Sequence, residues 1–271
     1  MDFKNKVVII TGASSGIGKS CAEEFASRGA NLVLAARQYV TLCELTAALE
    51  KKYGIKAVAV QVDVTKEEDC EHLIKQALIT FGGIDILINN AGISMRALFS
   101  ELDLSVLKNL MDVNFWGTVY CTKYALPEIL KTKGSIIGVS SIAGYRGLPG
   151  RTGYSASKFA MNGFMEALRT ELLNSGVHVM VACPGFTTSN IRVAALAKDG
   201  SSHGETSMEE GKMMSPEEVA KNIVNGIASR KRTLVMTGQG KLTVWINKLL
   251  PALADKLVFN HFKKEKNALI K

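Results

Sequence analysis

The sequence predicts an α/β protein whose core is a doubly wound parallel sheet of seven strands, with helices on both faces. Short β-branched runs alternate with helix-length segments along most of the 271 residues. These runs are almost continuously apolar, which is typical of strands that are buried on both faces and joined by crossover helices. The chain contains no internal repeat and no low-complexity linker, so we expect a single domain.

The predicted strands are spaced so that a helix fits between each one and the next. We expect strands at residues 6–11, 31–36, 57–62, 84–89, 135–140, 177–183 and 233–236. The first helix is expected from about residue 19 to 28, and two longer helices near residues 103–131 and 154–174. This alternation predicts the parallel, doubly wound arrangement rather than an antiparallel one.

Two regions interrupt the alternation of strands and helices. Residues 186–215 are rich in Gly, Ser, Thr and Met and are about as long as a lid over an active site. After the last strand, the chain continues as a basic apolar segment. We therefore expect a sheet domain at residues 1–240, with a substrate lid at about residues 186–215, followed by a basic amphipathic tail at residues 241–271.

The tail carries large apolar residues at helical spacing together with several lysines. Pro251 is expected to divide it into two helices. Helices of this kind can lie on an anionic membrane surface, but they can equally pack on the lid or on a second subunit. All three arrangements fit the sequence.

Composition indicates an ordinary globular protein, with 47% hydrophobic and 21% charged residues. The first apolar run, residues 7–10, is too short for a signal peptide core, and no stretch of about 18 apolar residues would span a bilayer. The five cysteines are an odd number and form no CxxC pair, which predicts reduced thiols and no metal site. We therefore expect a cytoplasmic protein, which the tail could bring to a membrane surface.

The net charge of +8 suits anionic ligands, membrane surfaces and nucleic acids alike. Nucleic acid binding is not predicted, because the positive charge is not interleaved with aromatic residues on a recognisable module.

The first strand runs into the glycine-rich stretch TGASSGIG at residues 11–18, and a predicted helix follows. Glycines at such a turn let main-chain N–H groups approach a pyrophosphate at the positive end of a helix. This context predicts a Rossmann-type dinucleotide site. Its expected cofactor residues in the loop are Gly12, Ser14, Ser15, Gly16, Ile17 and Gly18.

The end of the second strand indicates which dinucleotide is bound. An NAD site of this type carries a carboxylate there, about 20 residues beyond the glycines, whereas this chain has Ala36 and Arg37. Arg37, helped by the Ser14 hydroxyl, can hold a 2′-phosphate, so we expect NADP(H) rather than NAD(H). The alternative is that Arg37 is a solvated charge at a helix entry. Asp63 and Val64 follow the third strand, where Asp63 either accepts a hydrogen bond from the adenine or caps a helix.

The stretch YSASK places Tyr154 and Lys158 four residues apart at the start of a predicted helix. Residues at that spacing share a helix face, so the phenol and the ammonium can converge. A nearby cation lowers the pKa of a tyrosine from about 10, which predicts a tuned proton donor. In isolation, a pair at this spacing is most often a surface aromatic and a solvated lysine, so the interpretation depends on the other motifs of the chain.

Together these motifs resemble the classical short-chain dehydrogenase/reductase family over roughly residues 4–240. TGASSGIG at 11–18, NNAG at 89–92, Asn114, Ser141, YSASK at 154–158 and Pro184-Gly185 stand in the family's order and spacing. Within the family, the segment PGFTTSN, the long loop and the basic tail are most similar to the member-7B type dehydrogenase/reductases, and more distantly to 11-beta-hydroxysteroid dehydrogenases.

The resemblance implies a catalytic role for four residues. Tyr154 would transfer a proton to or from the substrate oxygen, and Ser141 would bind and polarise the carbonyl. Lys158 would lower the pKa of Tyr154 and bind the nicotinamide ribose. Asn114 would hold a water that links the lysine to solvent. Without Tyr154, Ser141 would be interpreted as a strand-end cap.

The resemblance also implies further cofactor contacts and an assembly. Asn90, Ala91 and Gly92 would line the cofactor, with Asn90 bracing the neighbouring strands. The carboxamide side of the nicotinamide would lie against Pro184, Gly185 and one threonine. That threonine is either Thr187 or Thr188, and we favour Thr187. A homodimer or homotetramer is expected through the two long helices.

The expected function is an NADP(H)-dependent interconversion of a carbonyl and an alcohol on a small lipophilic substrate of lipid, steroid or retinoid character. The apolar lid residues suggest the lipophilic substrate, although they could simply anchor the lid to the core. They are Phe186, Ile191, Val193, Leu196, Met208, Met213 and Met214. The alternatives are an NAD-dependent hydroxysteroid-type dehydrogenase and a non-catalytic protein that senses a dinucleotide or binds a membrane surface.

Overall fold

The computed structural model describes residues 2–188, 191–202, 204, 213–264 and 268–270. The strands are β1 (Val7–Thr11), β2 (Asn31–Ala36), β3 (Ala57–Gln61), β4 (Ile86–Asn89), β5 (Ser135–Val139), β6 (His178–Cys183) and β7 (Thr233–Val235). The helices are α1 (Gly16–Ser27), α2 (Tyr39–Tyr53), α3 (Glu67–Phe81), α4 (Leu104–Met111), α5 (Gly117–Thr132), α6 (Thr152–Glu171), α7 (Pro216–Ala228), α8 (Gly238–Leu249) and α9 (Pro251–Phe262).

The seven strands form one sheet in the order β3-β2-β1-β4-β5-β6-β7, and every neighbouring pair is parallel. This confirms the predicted doubly wound sheet. The strand order reverses between β1 and β4. Parallel sheets bind ligands at the carboxyl ends of the strands on either side of such a reversal, so the sheet itself indicates where the site lies.

Side chains of each strand alternate between two apolar layers. In β1, Val8 and Ile10 pack beneath α1, α2 and α7, whereas Val7 and Ile9 pack beneath α3, α5 and α6. Both faces of the sheet are therefore covered by helices. Because side chains on both faces of the sheet are buried, consecutive residues of each strand are apolar, and the strands are continuous apolar runs in the sequence.

Helix α1 begins at Gly16, three residues earlier than the predicted start at residue 19, which was wrong. Glycines are poor helix formers, so the local sequence at Gly16 and Gly18 gives no signal for a helix start. However, a Cβ on Gly18 would lie 2.3 Å from the main-chain oxygen of Gly12. Close packing of the first turn against the end of β1 thus requires glycine and overrides its low helix propensity.

The predicted helix at residues 103–131 is an almost continuous helical run with one irregular turn. Between α4 and α5, residues Asp112–Trp116 form a π-helical turn that contains Asn114. A single π turn within an α-helix changes the direction of side chains locally and often occurs at functional sites. The irregularity therefore falls at one of the residues predicted to take part in catalysis.

The lid is held at both ends by main-chain hydrogen bonds. The N–H of Met214 donates to the oxygen of Phe186, and the N–H of Thr188 donates to the oxygen of Met214, each over 3.0 Å. Further along, Leu196 pairs with the chain at Ser94. Met208 and its neighbours 205–212, together with residues 189, 190 and 203, lie outside the described residues.

In the described part of the tail, residues 241–264 and 268–270, the chain forms two helices, α8 and α9, and Pro251 is the first residue of the second. This confirms the predicted division. Helix α8 begins at Gly238, slightly before the predicted tail boundary at residue 241. Among the described helices, none is both long enough and apolar enough to cross a bilayer.

Candidate active site

A cavity of about 550 Å³ lies at the carboxyl ends of the central strands, where the strand order reverses. A second cavity of about 140 Å³ adjoins it and shares Ile17, Asn90, Gly92 and Ile191 with it. The predicted cofactor residues that line the larger cavity are Gly12, Ser14, Ser15, Gly16, Ile17, Arg37, Asp63, Val64, Asn90, Ala91 and Gly92. The smaller cavity is lined by Ser141, Tyr154, Lys158, Pro184, Gly185 and Thr187.

The glycine loop forms one wall of the larger cavity. Gly12 has a φ of +65°, a left-handed conformation that favours glycine, and a Cβ at this position would lie 2.9 Å from the Cα of Ala91. Ser15 is the N-cap residue of α1, and its side chain forms no capping hydrogen bond with any described residue. The first N–H groups of α1 thus face the cavity as an anion-binding helix end.

Asn90 holds the ends of β1 and β4 together. Its side-chain amide donates to the main-chain oxygens of Thr11, at 2.9 Å, and Gly12, at 3.2 Å. In the other direction, the N–H groups of Asn90 and Ala91 both donate to the Thr11 hydroxyl at 3.0 Å. This reciprocal set fixes the floor of the cavity between the two strands.

At the end of β2, Arg37 is exposed and lines the larger cavity. The Ser14 hydroxyl donates to the side-chain oxygen of Gln38 over 2.8 Å, which ties the glycine loop to the residue after Arg37. Asp63 is the one carboxylate among the described residues that line this cavity. The end of β2 therefore presents a guanidinium and a hydroxyl where an acid would stand in an NAD site of this type.

Asp63 does not cap α3, which begins at Glu67. Its carboxylate accepts hydrogen bonds from the N–H of Thr65, at 3.1 Å, and from the Thr65 hydroxyl, at 2.8 Å. These bonds hold the turn that follows β3 while the residue lines the cavity.

Ser141, Tyr154 and Lys158 converge on the smaller cavity from two elements. Ser141 follows β5, and its hydroxyl oxygen accepts the N–H of Ala143 at 3.2 Å, so it does cap a short helical turn. A hydrogen bond to this hydroxyl also lowers the pKa of Tyr154. The cap interpretation and the catalytic interpretation of Ser141 are thus compatible, because the cap uses the oxygen and leaves the hydroxyl proton for Tyr154.

Tyr154 and Lys158 lie on the first turns of α6 and face the same cavity. The Lys158 ammonium is 5.9 Å from the centroid of the Tyr154 ring. It donates a hydrogen bond to the main-chain oxygen of Val139 over 2.9 Å, and the residue is only 3% exposed. The i, i+4 spacing therefore brings the two groups together, with the ammonium anchored to the end of β5.

The pKa values of this pair differ from the simple sequence expectation. Burial raises the pKa of Tyr154, and the hydrogen bond from Ser141 opposes that rise. Burial also lowers the pKa of Lys158 to about 8. We expected Lys158 to lower the pKa of Tyr154, but in this structure that pKa is raised. The reason is that removing the phenol and the ammonium from water favours the neutral form of each.

Asn114 is completely buried beneath the site. Its side-chain oxygen accepts the N–H of Ile93 at 2.8 Å, and its amide donates to the oxygen of Ile93 at 3.0 Å and to the Ser157 hydroxyl at 2.8 Å. The Ser157 hydroxyl in turn donates to the main-chain oxygen of Tyr154 at 2.8 Å. Asn114 thus connects the strand side of the cavity to the helix turn that carries Tyr154.

Pro184, Gly185 and Thr187 follow β6 and form the far wall of the smaller cavity. The Thr187 hydroxyl donates to the main-chain oxygen of Gly185 over 3.1 Å. Thr187 lines this cavity, whereas Thr188 does not. Of the two threonines considered, Thr187 is therefore the one that faces the site.

Several residues of the site were not identified from the sequence. Ser157 links Asn114 to the main chain of Tyr154, and Arg151 and Arg192 place two guanidinium groups in the wall of the smaller cavity. Ser157 and Arg151 lie one and three residues from members of the Tyr-Lys pair, so helical geometry could have indicated them. Arg192 lies in the irregular lid, where the sequence contains no periodic signal.

The lid uses its apolar residues in two ways. Phe186 and Ile191 line the smaller cavity, whereas Met214 is buried in the core beneath the sheet. Leu196 packs on a separate small apolar cluster around Met95. Some members of the set therefore line the smaller cavity, and others pack against the core.

The site fits a nicotinamide dinucleotide on its own geometry. The larger cavity is within the size range of cofactor sites, and its loop has glycines where any Cβ would collide with main chain. Among the described residues, no group of three or more His, Cys, Asp or Glu side chains could hold a metal ion.

Comparison with known families agrees with this geometry. The family model for short chain dehydrogenases matches residues 6–200. Dehydrogenase/reductase SDR family member 7B of Mus musculus is 33% identical over 271 residues, which cover 98% of this chain and 84% of the relative. The 11-beta-hydroxysteroid dehydrogenase 1A of Arabidopsis thaliana is 35% identical over 260 residues, which cover 92% of this chain and 73% of the relative.

Solved structures show the same fold. A short chain dehydrogenase/reductase from Burkholderia phymatum in complex with NAD superimposes with a TM-score of 0.82 at 25% identity, covering 93% of this chain and 96% of that one. An alcohol dehydrogenase from the archaeon Thermococcus sibiricus complexed with 5-hydroxy-NADP has a TM-score of 0.73 at 25% identity, covering 85% of this chain and 95% of that one.

Proposed function

The chain belongs to the short-chain dehydrogenase/reductase family, and from that premise we propose that it is an NADP(H)-dependent oxidoreductase that interconverts a carbonyl and an alcohol on a small lipophilic substrate. One observation carries the proposal. Ser141, Tyr154 and Lys158 converge on the smaller cavity, which adjoins the larger cavity and shares four lining residues with it. A substrate oxygen held there would meet a proton donor beside the cofactor.

The proton chemistry follows from the surroundings of Tyr154. Burial raises the pKa of the phenol, so the side chain holds its proton and can donate it to a substrate oxygen. The Ser141 hydroxyl is a hydrogen-bond partner of the same phenol and would orient the carbonyl. A bound nicotinamide dinucleotide supplies or accepts the hydride. In the oxidative direction, Tyr154 would take the proton back from the alcohol.

Lys158 would contribute through its charge and position. Its ammonium is fixed to Val139 and lies beside the tyrosine ring. A hydroxyl of the cofactor ribose is a suitable partner for the remaining ammonium protons. The glycine loop would hold the pyrophosphate at the N-terminus of α1, and Thr187 and Gly185 would contact the carboxamide side.

The preference for NADP(H) rests on Arg37. An exposed guanidinium at the end of β2 can form a bidentate contact with a 2′-phosphate, and Asp63, the one carboxylate that lines the cavity within the described chain, follows a different strand. Solved relatives complexed with NAD and with an NADP derivative share the fold, so the fold alone leaves both cofactors open. The local charge favours the phosphorylated one.

The substrate class rests on the lid. Phe186, Ile191 and Leu148 contribute apolar surface to the smaller cavity, which suits a ketone or aldehyde of lipid, steroid or retinoid type. The names of relatives, which include 11-beta-hydroxysteroid dehydrogenases, support this class. Arg151 and Arg192 also face the cavity, so matched substrates with and without an acidic group belong in the panel.

Assembly as a homodimer or homotetramer is part of the proposal. Trp116 on the irregular turn and Phe159 on α6 are 43% and 46% exposed, although both are large apolar residues. Such residues on neighbouring helices are suited to burial against a second subunit.

The first test is a fluorescence titration of the purified chain with NADPH and, in parallel, with NADH. We expect NADPH to bind at least about tenfold more tightly, because the 2′-phosphate adds a charge-assisted contact with Arg37. In Arg37→Ala, NADPH affinity should fall to that of NADH, while NADH affinity stays the same. Lys75→Ala, an exposed cation of α3 outside the cavity, is the matched control.

Each outcome of this titration has a distinct meaning. Tighter binding of NADH would overturn the cofactor assignment and favour the NAD-dependent hydroxysteroid-type reading while leaving the chemistry of Tyr154 intact. If neither dinucleotide bound, the oxidoreductase proposal itself would be wrong. Binding of NADPH without turnover of any carbonyl in the panel would favour a protein that senses the dinucleotide.

A further inference from the structure

Helices α8 and α9 present a continuous set of large apolar side chains to solvent. Six of them, which we call the α8–α9 face, are each between 43% and 58% exposed. They are Leu242, Trp245, Leu249, Leu250, Leu253 and Leu257. Single exposed leucines are common on soluble proteins, but a cluster of this kind on two adjacent helices indicates a surface that binds something.

The spacing of these residues places them on one side of each helix. On α8, Leu242, Trp245 and Leu249 are three and four residues apart, so they form one stripe along the helix. On α9, Leu253 and Leu257 are one turn apart. The two helices pack against each other, so the two stripes form a single outer surface.

Two polar residues of the same helices, Asn247 and Asp255, bond to the body of the protein. The Asn247 amide donates to the main-chain oxygen of Tyr145 over 2.9 Å, and Arg146 donates to the Asn247 oxygen over 3.0 Å. Arg146 also forms an ion pair with Asp255 at 2.5 Å. A helix on a water-facing surface normally turns its large apolar residues inward, whereas these two helices leave six of them exposed.

Charge around the face has one predominant sign. Between residues 238 and 264 the chain carries five lysines and a single acid, Asp255, which is paired with Arg146. The lysines are Lys241, Lys248, Lys256, Lys263 and Lys264, and all are exposed. An apolar stripe with lysines around it is complementary to a bilayer surface that carries negative headgroups.

We propose that the α8–α9 face docks on the surface of a phospholipid bilayer that contains anionic lipids. The leucines and Trp245 enter the region between headgroups and acyl chains, and the lysines contact the headgroups. The two helices lie in the plane of the interface. Docking of this kind buries the exposed apolar surface and uses the surrounding positive charge at the same time.

A second copy of the chain fits this face less well. A twofold interface brings the same patch of each subunit against itself. The lysines that border the face would then approach the lysines of the partner, which is electrostatically unfavourable. The bilayer has the opposite charge and imposes no such repulsion.

The α8–α9 face lies close to the smaller cavity, so docking could bring that cavity to the membrane surface. The uptake of a substrate from the membrane is the one step here that rests on the proposed function. The His261 ring on α9 stacks on Phe186, with centroids 6.2 Å apart, and Phe186 lines the smaller cavity. The Phe262 ring lies 4.8 Å from the Arg151 guanidinium, which also lines it. The end of α9 therefore borders the cavity, and a docked protein would take a lipophilic substrate from the membrane.

The test is sedimentation of the full chain with vesicles of phosphatidylcholine alone and of phosphatidylcholine with about one-third phosphatidylserine. We expect binding to the anionic vesicles that weakens as salt is raised, because screening shortens the reach of the lysines. The double variant Trp245→Glu/Leu249→Glu should bind at least about tenfold less tightly, because it places two charges in the apolar stripe.

The matched control is Ile79→Glu/Leu173→Glu. These two apolar residues are 78% and 74% exposed and lie outside the face, so the control makes the same change in charge elsewhere. It should bind vesicles like the wild type. Circular dichroism spectra and unfolding transitions like those of the wild type, measured without vesicles, show that both double variants are folded. This control does not depend on cofactor binding, so the docking test and the test of function can fail separately.

A spectroscopic readout locates the contact. The chain has two tryptophans, Trp116 and Trp245. Anionic vesicles should shift the emission of the wild type to shorter wavelength, as Trp245 leaves water, and Trp245→Phe should abolish the shift while vesicle binding persists.

Three results would overturn the proposal. The first is that the wild type fails to bind anionic vesicles or binds both vesicle types equally. The second is that the Trp245→Glu/Leu249→Glu variant binds as well as the wild type. The third is that this variant has a smaller mass than the wild type by light scattering, which would identify the face as a subunit interface.

Discussion

The Lys158 ammonium donates a hydrogen bond to the main-chain oxygen of Val139 over 2.9 Å, so the end of β5 fixes the position of the lysine. Lys158 lies on α6, almost twenty residues later in the chain, and the residue is only 3% exposed. The charge is therefore held in a buried place where its pKa falls to about 8. That lowered pKa has a measurable effect on stability.

Stability should depend on pH through Lys158. Its pKa is lowered from 10.5 to about 8 in the folded chain, so between those values the unfolded chain holds a proton that the folded chain has lost. The free energy of unfolding then rises with pH across this interval. Relative to Lys158→Met, the wild type should gain about 2–3 kcal/mol, measured by denaturant unfolding at pH values spanning that range.

The comparison with Lys158→Met removes the contributions of groups that Lys158 does not influence, such as the buried thiols of Cys21 and Cys121, because both proteins share them. Lys75→Met, an exposed lysine of α3, is the control and should follow the wild type at every pH. If the difference between wild type and Lys158→Met were constant over the interval, the lowered pKa of Lys158 would be wrong.

Replacing Tyr154 by phenylalanine should remove turnover and leave cofactor binding in place. The variant lacks the acidic proton, so kcat should fall by about two to four orders of magnitude, while the dinucleotide affinity changes by less than about threefold. The kcat is measured by following NADPH oxidation in the presence of a carbonyl that the wild type accepts. The dinucleotide affinity is measured by fluorescence titration.

The control for that variant is Tyr145→Phe, a nearby tyrosine that is also partly buried but lines neither cavity. Its turnover should stay close to that of the wild type. A Tyr154→Phe enzyme with unchanged turnover would show that the proton comes from another group.

Asn114 should matter for stability as well as for the site. In Asn114→Ala, the N–H and oxygen of Ile93 and the Ser157 hydroxyl lose their partner at a buried position. We expect the free energy of unfolding to fall by about 2–4 kcal/mol. Denaturant unfolding tests this, with Asn109→Ala on the exposed side of α4 as a control that should change it by less than about 0.5 kcal/mol.

If Asn114→Ala were as stable as Asn109→Ala, the hydrogen bonds that join Ile93 to the turn of Tyr154 would make no contribution to the free energy of unfolding. The Ser157→Ala variant separates positioning from stability. It should lower kcat more than it raises KM, because it loosens the turn that carries Tyr154 and leaves the cavity walls in place.

Gly18 and Gly163 are both helical glycines and should respond in opposite ways to alanine. A Cβ on Gly18 would lie 2.3 Å from the main-chain oxygen of Gly12, whereas a Cβ on Gly163 meets nothing within 4 Å. Gly18→Ala should weaken dinucleotide binding by at least about tenfold, because the loop must move. Gly163→Ala should raise the free energy of unfolding by about 0.5–1 kcal/mol.

Titration with NADPH tests the expected loss of affinity in Gly18→Ala. Thermal or denaturant unfolding tests the expected gain in stability in Gly163→Ala, and both measurements are made on both variants. Unchanged NADPH affinity in Gly18→Ala would mean that the first turn of α1 does not form the cofactor cradle.

Much of the fold could be predicted because its signals are local. Each strand is a continuous apolar run, and each run is close to the observed strand, as at β2, where both ends agree. The start of α1 was missed because its glycines have low helix propensity, and only their contact with β1 shows why they belong to the helix. The π turn around Asn114 was missed for a different reason, because its sequence continues the helical pattern without a break.

The sequence by itself determined the order of strands and helices, the glycine loop, the charge at the end of β2 and the spacing of Tyr154 and Lys158. Tertiary structure alone decided how strongly these groups are buried, and hence the raised pKa of Tyr154 and the lowered pKa of Lys158. It also decided that the apolar stripe of α8 faces outward. The physical reason is that periodicity shows which residues share a face, whereas burial depends on what distant parts of the chain place against that face.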